Sequence, residues 1–226
     1  MADLPILFSA PMVRALLEGR KTQTRRVMNP QPEPDFISAK ITDGLLGMAP
    51  ARLFGGPTHR ALRKLHRPGD RLWVREAWRT HKAYDDLPPS EMGGEEAIQH
   101  RADGALHARG WPAADFDAGR LRASMHMPRW ASRLTLKVTE VRVQRLQDIS
   151  EEDAVAEGIR PSGYHATFKD MPMWGDGTRS LGNSPRAAFS LLWDSINAGR
   201  GFGWDANPWV TATTFEVVRG NIDEVK

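Results

Sequence analysis

Eight consecutive residues, Gly19-Arg20-Lys21-Thr22-Gln23-Thr24-Arg25-Arg26, bring together one amine, two hydroxyls and three guanidiniums. Arginines around Lys21 favour its neutral amine by like-charge repulsion, and a neutral lysine can act as general base for a hydroxyl or a water. Thr24 supplies the natural hydroxyl. The same residues also describe a solvated basic turn that binds phosphate, and their types alone leave both readings open.

Other chemistries are poorly served. Gly19-Arg20-Lys21-Thr22 ends like a phosphate-binding loop, but the glycine five residues earlier is missing and the segment follows a helix instead of opening one. Gly199, Gly201 and Gly203 lack the strand that precedes a dinucleotide fingerprint, and read as a flexible turn. The seven histidines, at 59, 66, 81, 100, 107, 126 and 165, show no HExxH pattern and no close pair at metal spacing. With no cysteine in the chain, disulfides, thiol nucleophiles and thiolate zinc sites are excluded. Neither a metal nor a cofactor is expected.

Several elements must position the basic segment. Pro5-Ile6-Leu7-Phe8 reads as an opening strand, and Ser9 as the cap of a helix over residues 11–18 that Gly19 stops. The basic segment then reads as a loop after that helix. Residues 29–67 form an irregular excursion, with an Arg-rich helix at 58–66. Pro68-Gly69-Asp70 is a turn into a strand over 71–78, where Leu72, Val74 and Glu76 alternate with Arg71, Trp73 and Arg75. Residues 79–128 read as an insertion around a short strand at 96–101, and 132–145 as a long strand whose phase shifts near Glu140. Ser150-Glu151-Glu152-Asp153 opens a helix ended by Gly158. After a Gly-rich excursion at 160–183, Ser184-Pro185 opens another, with Phe189, Leu192, Trp193 and Ile196 on one face; a strand over 209–218 follows.

The whole chain, 226 residues with 40% hydrophobic and 26% charged side chains, reads as globular, without an apolar run long enough to cross a membrane and without the basic start and apolar stretch of a secretory signal. A cytoplasmic location is expected. Its net charge of +3 is unevenly spread: residues 1–80 hold 14 Lys and Arg against 7 Asp and Glu. Of the 31 basic residues 24 are arginines, which suit phosphate and stacked bases. Trp73, Trp78, Trp130 and Trp209 weigh towards core positions, but Trp130, flanked by Arg129 and Arg133, also fits a base-stacking position at a pocket mouth.

The pattern Gly19-x-Lys21-Thr22-x-Thr24-x-Arg26 resembles the signature of the ASCH family, small barrels of the PUA-like class. The Pro68-Gly69-Asp70 turn, the segment Leu146 to Gly158, Met127-Pro128-Arg129-Trp130-Ala131-Ser132-Arg133 and Asn207-Pro208-Trp209-Val210 fall in matching order, and the likeness is greatest to the longer phage and prophage versions. The resemblance implies an α+β fold, a PUA-like mixed β-barrel with flanking helices, as a single domain over 1–226 with loop insertions near 29–67, 79–128 and 160–183. The family includes bacterial amidohydrolases that deacylate N4-acetylcytidine with a lysine, a threonine and a glutamate. Carried over, these fall on Lys21 as base, Thr24 as nucleophile and Glu157 as proton shuttle, with a lysine-activated water as the other route. Arg25, Arg26, Glu76, Trp78, Arg129 and Trp130 are the candidates for substrate contact, Arg26 also for the oxyanion. The expected partner is a modified nucleoside or nucleic acid, not a membrane; a non-catalytic RNA, DNA or modified-base binding module is the competing expectation.

Overall fold

The computed structural model describes residues 1–32, 40–42, 45–47, 65–108, 113–159 and 184–225. In chain order the elements are β1 (Asp3–Leu7), α1 (Ala10–Leu17), β2 (Gln23–Val27), β3 (Lys40–Thr42), β4 (Leu45–Gly47), β5 (Arg71–Arg75), β6 (Trp78–Thr80), β7 (Ile98–His100), β8 (Leu106–His107), β9 (Leu134–Arg145), α2 (Glu151–Ala156), α3 (Pro185–Asn197) and β10 (Trp209–Arg219). The class is mixed α+β. Strand order in the largest sheet is β1-β5-β9-β10-β2, with β3-β4 and β6-β7-β8 as separate small sheets. Among the described residues no sheet closes, because closure requires the two edge strands to pair and β1 pairs with β5 while β2 pairs with β10. The expected barrel is therefore corrected to open sheets.

Contacts divide the chain into two compact units: residues 1–18, 70–137 and 217–226 form one, residues 19–69 and 138–216 the other. In the first, β1 runs parallel to β5, and β5 antiparallel to the start of β9. Leu72 and Val74 are buried while Arg71, Trp73 and Arg75 are only partly so, the alternation read from the sequence. The strand stops sooner than residue 78, because Glu76 and Ala77 leave the ladder: the Glu76 amide donates to Met127 Sδ and the Ala77 carbonyl accepts from Arg101. Trp78 then starts β6, and packs with Met92, Ile98, Met127 and Ala131 in a local core.

In the second unit, β2 and β10 pair antiparallel with Thr24 opposite Thr213 and Gln23 opposite Thr214. Most of the expected loop after α1 is thus a strand. β-Branched Thr22, Thr24 and Val27 suit it, and the β10 ladder overrides the local basic character. Leu146, Ile149, Ala154, Ile159, Ala188, Phe189, Trp193 and Val210 form this unit's core, with Val27 packed against it. Helix α3 is capped by the Ser184 hydroxyl, which accepts from the Ala187 amide, and has Pro185 in its first turn. The phase shift in β9 appears as two successive exposed residues, Thr139 and Glu140. Most of the helix read over 58–66, together with His59, His165 and the excursion at 160–183, lies outside the described residues.

Candidate active site

Three side chains from one face of the β2 segment meet the face of α2 that carries Asp153 and its C-cap Glu157. From Lys21 to Val27 the backbone is extended: the Thr22 amide donates to the Ala156 carbonyl, the Phe215 amide donates to the Thr22 carbonyl, and Lys21 forms an antiparallel bridge with Glu157. Alternation with a period of two then sends Lys21, Gln23 and Arg25 to the same side. There, Lys21 Nζ donates to Glu157 Oε2 at 2.6 Å and to the Glu157 carbonyl at 3.0 Å. Arg25 donates to Glu157 Oε1 at 3.1 Å and to Asp153 Oδ2 at 2.6 Å, and Gln23 Nε2 donates to Asp153 Oδ1 at 3.2 Å. Arg142, on β9, donates to the same Asp153 oxygen at 2.7 Å.

Helix α2 is built to present these carboxylates. The Ser150 hydroxyl accepts from the Asp153 amide at 3.1 Å, and Glu151, Glu152 and Asp153 occupy the first turn, where the helix dipole favours negative charge. Glu157 is the C-cap, and Gly158 follows at φ +99°, the left-handed conformation in which a residue without Cβ ends a helix. Arg20 donates to the Gly158 carbonyl at 2.6 Å, holding the chain before β2 against that helix end.

The pair is almost sealed: Lys21 is 1% exposed and Glu157 7%. Burial pushes the Lys21 amine below the ordinary lysine value; Glu157 opposes that shift, and the charges of Arg26 and Arg25 reinforce it. The balance is lowered, which favours the neutral amine that a general base requires. Thr24, 3% exposed, lies on the other side of the strand by the same alternation, opposite Thr213, whose hydroxyl is 3.4 Å from His66 Nδ1. Arg26 is exposed, and within electrostatic reach of Glu157.

Glu76, Trp78, Arg129 and Trp130 belong to the first unit. Glu76 is buried and takes a bidentate contact from Arg133, at 2.8 and 3.0 Å; Arg133 in turn grips Asp103 with two hydrogen bonds of 2.9 Å. His100 Nδ1 is 3.2 Å from Glu76 Oε1, close but without hydrogen-bond alignment. Trp78 is 0% exposed, with the Arg122 guanidinium 5.5 Å above its ring. Arg129 is held by Asp3 and Asp223. Trp130 is partly buried and lies over Gly94, where a Cβ would come within 3.3 Å of the indole; Gly94 also has φ +97°.

Asp153 and Arg142 in the Lys21–Glu157 network, and Asp103 in the separate Glu76 network of the first unit, are contributors that motif reasoning passed over. Asp153 was legible only as a first-turn acid, since two of its partners, Arg25 and Gln23, lie 128 and 130 positions away and Arg142 reaches it from another element. Among the described residues no group of three or more His, Asp or Glu is placed to hold a metal ion, and no helix is long and apolar enough to cross a membrane.

No family model matches the chain, and no curated protein matches it. Among solved structures it is similar to the crystal structure of protein EF3133 from Enterococcus faecalis V583, of family DUF984. The identity is 10% and the TM-score 0.40, with 100% of this chain and 86% of that chain covered.

Proposed function

We propose that the chain hydrolyses the acyl amide of N4-acetylcytidine or a related N4-acylated nucleoside, as the ASCH enzymes that its Gly19–Arg26 segment resembles do. The observation that carries this reading is the buried Lys21–Glu157 pair, in which a lysine of lowered basicity is held by a carboxylate at 2.6 Å. Neutral Lys21 removes a proton from the attacking oxygen, which adds to the exocyclic amide carbon. Arg26 or backbone amides steady the oxyanion. As the C–N bond breaks, the proton passes through Glu157 to N4, and one water is consumed for each carboxylic acid and free amine released. Thr24 is the oxygen donor if an acyl-threonine forms; the alternation of β2, which sets Thr24 across from Lys21, favours water.

A second reading, a module that binds a base without turnover, draws support from the near-complete burial of Lys21, Thr24 and Glu157. Incubating the purified chain with N4-acetylcytidine and following cytidine by chromatography separates the two. Release of cytidine is expected, with Lys21→Arg lowering it at least about 100-fold, because arginine keeps the charge but is not deprotonated in proteins. Thr24→Ala is expected to retain most activity if water is the nucleophile. Absence of cytidine release from the wild type would leave the binding module standing.

A further inference from the structure

The small sheet of the first unit is polar on a face that the fold buries. β6 and β7 pair antiparallel with Trp78 opposite His100, and on the other side of β6 Trp78 forms an antiparallel bridge with Arg122. Residues directly opposite each other share a face of a sheet, and so do residues two apart on one strand. Arg122, Trp78, His100 and Thr80 therefore stand on one face. Trp78, Thr80 and His100 are 0% exposed and Arg122 5%, and the Arg122 guanidinium lies 5.5 Å from the centre of the Trp78 ring.

Each of the four holds a buried polar atom without a hydrogen-bond partner among the described residues: Trp78 Nε1, Thr80 Oγ1, Arg122 Nε and both ring nitrogens of His100. A fold seldom leaves such atoms unsatisfied, and here they gather on one face. Trp78 Nε1 and Arg122 Nε can only donate, and the Thr80 hydroxyl can do so too, so what this face lacks is an acceptor. Its charge is unmatched as well. Arg122 donates to the Tyr84 carbonyl at 2.7 Å and the Asp85 carbonyl at 3.4 Å, and among the described residues it makes no ion pair. Asp85 Oδ1 accepts instead from the Arg120 amide at 2.8 Å, and Glu76, the carboxylate beside His100, is gripped by Arg133. A buried charge with no opposite charge beside it is unfavourable.

We propose that this face binds a small oxyanion, with Arg122 supplying the charge and one hydrogen bond and with Trp78 Nε1–H and the Thr80 hydroxyl donating to its other oxygens. Water would satisfy the donors but leave the guanidinium unmatched, whereas an oxyanion does both and offers a separate oxygen to each donor. The near-complete burial of the four side chains limits the ligand to a few heavy atoms, in the range from formate to phosphate. All the residues belong to the first unit, so the site stands apart from the Lys21–Glu157 pair and does not rest on the hydrolase reading.

The test titrates the full chain with sodium phosphate and with sodium formate, ionic strength being held constant with sodium chloride. It reads the indole N–H resonances in a proton–nitrogen correlation spectrum, and Tm. Of the eight indole resonances, the one missing from Trp78→Phe is that of Trp78, and it is expected to move and saturate with at least one oxyanion. Tm should rise over the same concentrations, because a ligand of the folded state stabilises it by mass action. Trp78→Phe and Thr80→Val each remove one donor while keeping the shape, so each should weaken the affinity read from Tm by about tenfold, the loss of one hydrogen bond to a charge. Arg122→Met should abolish the response, and Trp204→Phe, which removes an indole from the second unit, should leave it unchanged. If Arg122→Met does not fold, the two conservative variants decide alone. Saturation by only one of the two oxyanions keeps the site and sets its size. A Trp78 resonance that moves with neither salt overturns the proposal and assigns these donors to water. A rise in Tm equally large in Trp78→Phe and Thr80→Val also overturns it, as a general effect of salt.

Discussion

Lys21 and Glu157 satisfy each other inside a nearly solvent-free volume, where an unpartnered charge costs far more than the pair itself contributes. Replacing Glu157 by Gln leaves Lys21 beside two arginines with a single carboxylate, Asp153, still in the network. Glu157→Gln is therefore expected to lower stability by about 3–5 kcal/mol in a urea titration, whereas removing both charges in Lys21→Met, Glu157→Gln should cost less than the two single changes added together. Additive losses would show that the two side chains do not depend on each other. The chemistry has its own signature in pH. Because burial lowers the Lys21 value, the neutral base grows as pH rises, and kcat should climb to a plateau reached below the ordinary lysine range. A rate flat from about pH 6 to 9 would remove Lys21 from the role of base.

Helix α2 is only six residues long, too short to hold itself together, and it depends on its cap and on tertiary packing. The Ser150 hydroxyl satisfies the amide of Asp153, the residue whose carboxylate binds Arg25, Gln23 and Arg142. Ser150→Ala should cost about 1 kcal/mol, while Ser150→Asp, which also caps, should cost little. If the helix positions the pair, Ser150→Ala should also expose the amides of residues 153–157 to hydrogen exchange sooner than those of α3. Exchange unchanged in α2 would mean that β2, through the Thr22–Ala156 hydrogen bond, holds that end of the helix by itself.

Across the whole molecule, each unit has its own buried charged network, and both respond to acid in the same direction. Burial raises Glu76, Asp103 and Asp153, but hydrogen bonds and nearby positive charge outweigh it: His100 and Arg133 act on Glu76, Arg133 and the Ala105 amide on Asp103, and Arg142 and Arg25 on Asp153. All three end below the ordinary carboxylate value. Their contribution to stability is complete above the unfolded value near 4 and is lost as pH falls through the lower folded values. Lys21 acts on the alkaline side: its folded value is depressed, so the unfolded chain binds the extra proton and this cost eases as pH rises towards the ordinary lysine value. Thermal unfolding should show Tm dropping steeply below about pH 4. Glu76→Gln should weaken that drop, and a wild-type Tm constant from pH 5 to 3 would contradict the assignment.

What the sequence by itself determined follows from local signals. Ser150 and Gly158 bracket α2, Ser184-Pro185 opens α3, and the apolar alternation in Leu72 and Val74 marks β5, because caps, turns and periodicity act over a few residues. The Lys21 signature was legible as a cluster, and Glu157 as the last residue before a helix-ending glycine. Tertiary structure decided the rest. Pairing with β10 makes a strand of residues 23–27, and that strand's alternation is what sets Lys21, Gln23 and Arg25 on one side and Thr24 on the other. Open edges at β1 and β2 replace the expected barrel. Arg129, a candidate for substrate contact, is paired with Asp3 and Asp223, residues 126 and 94 positions away. Such long-range pairings decide which charges are satisfied within the fold and which, like that of Arg122, meet carbonyls alone, and no spacing along the chain encodes them.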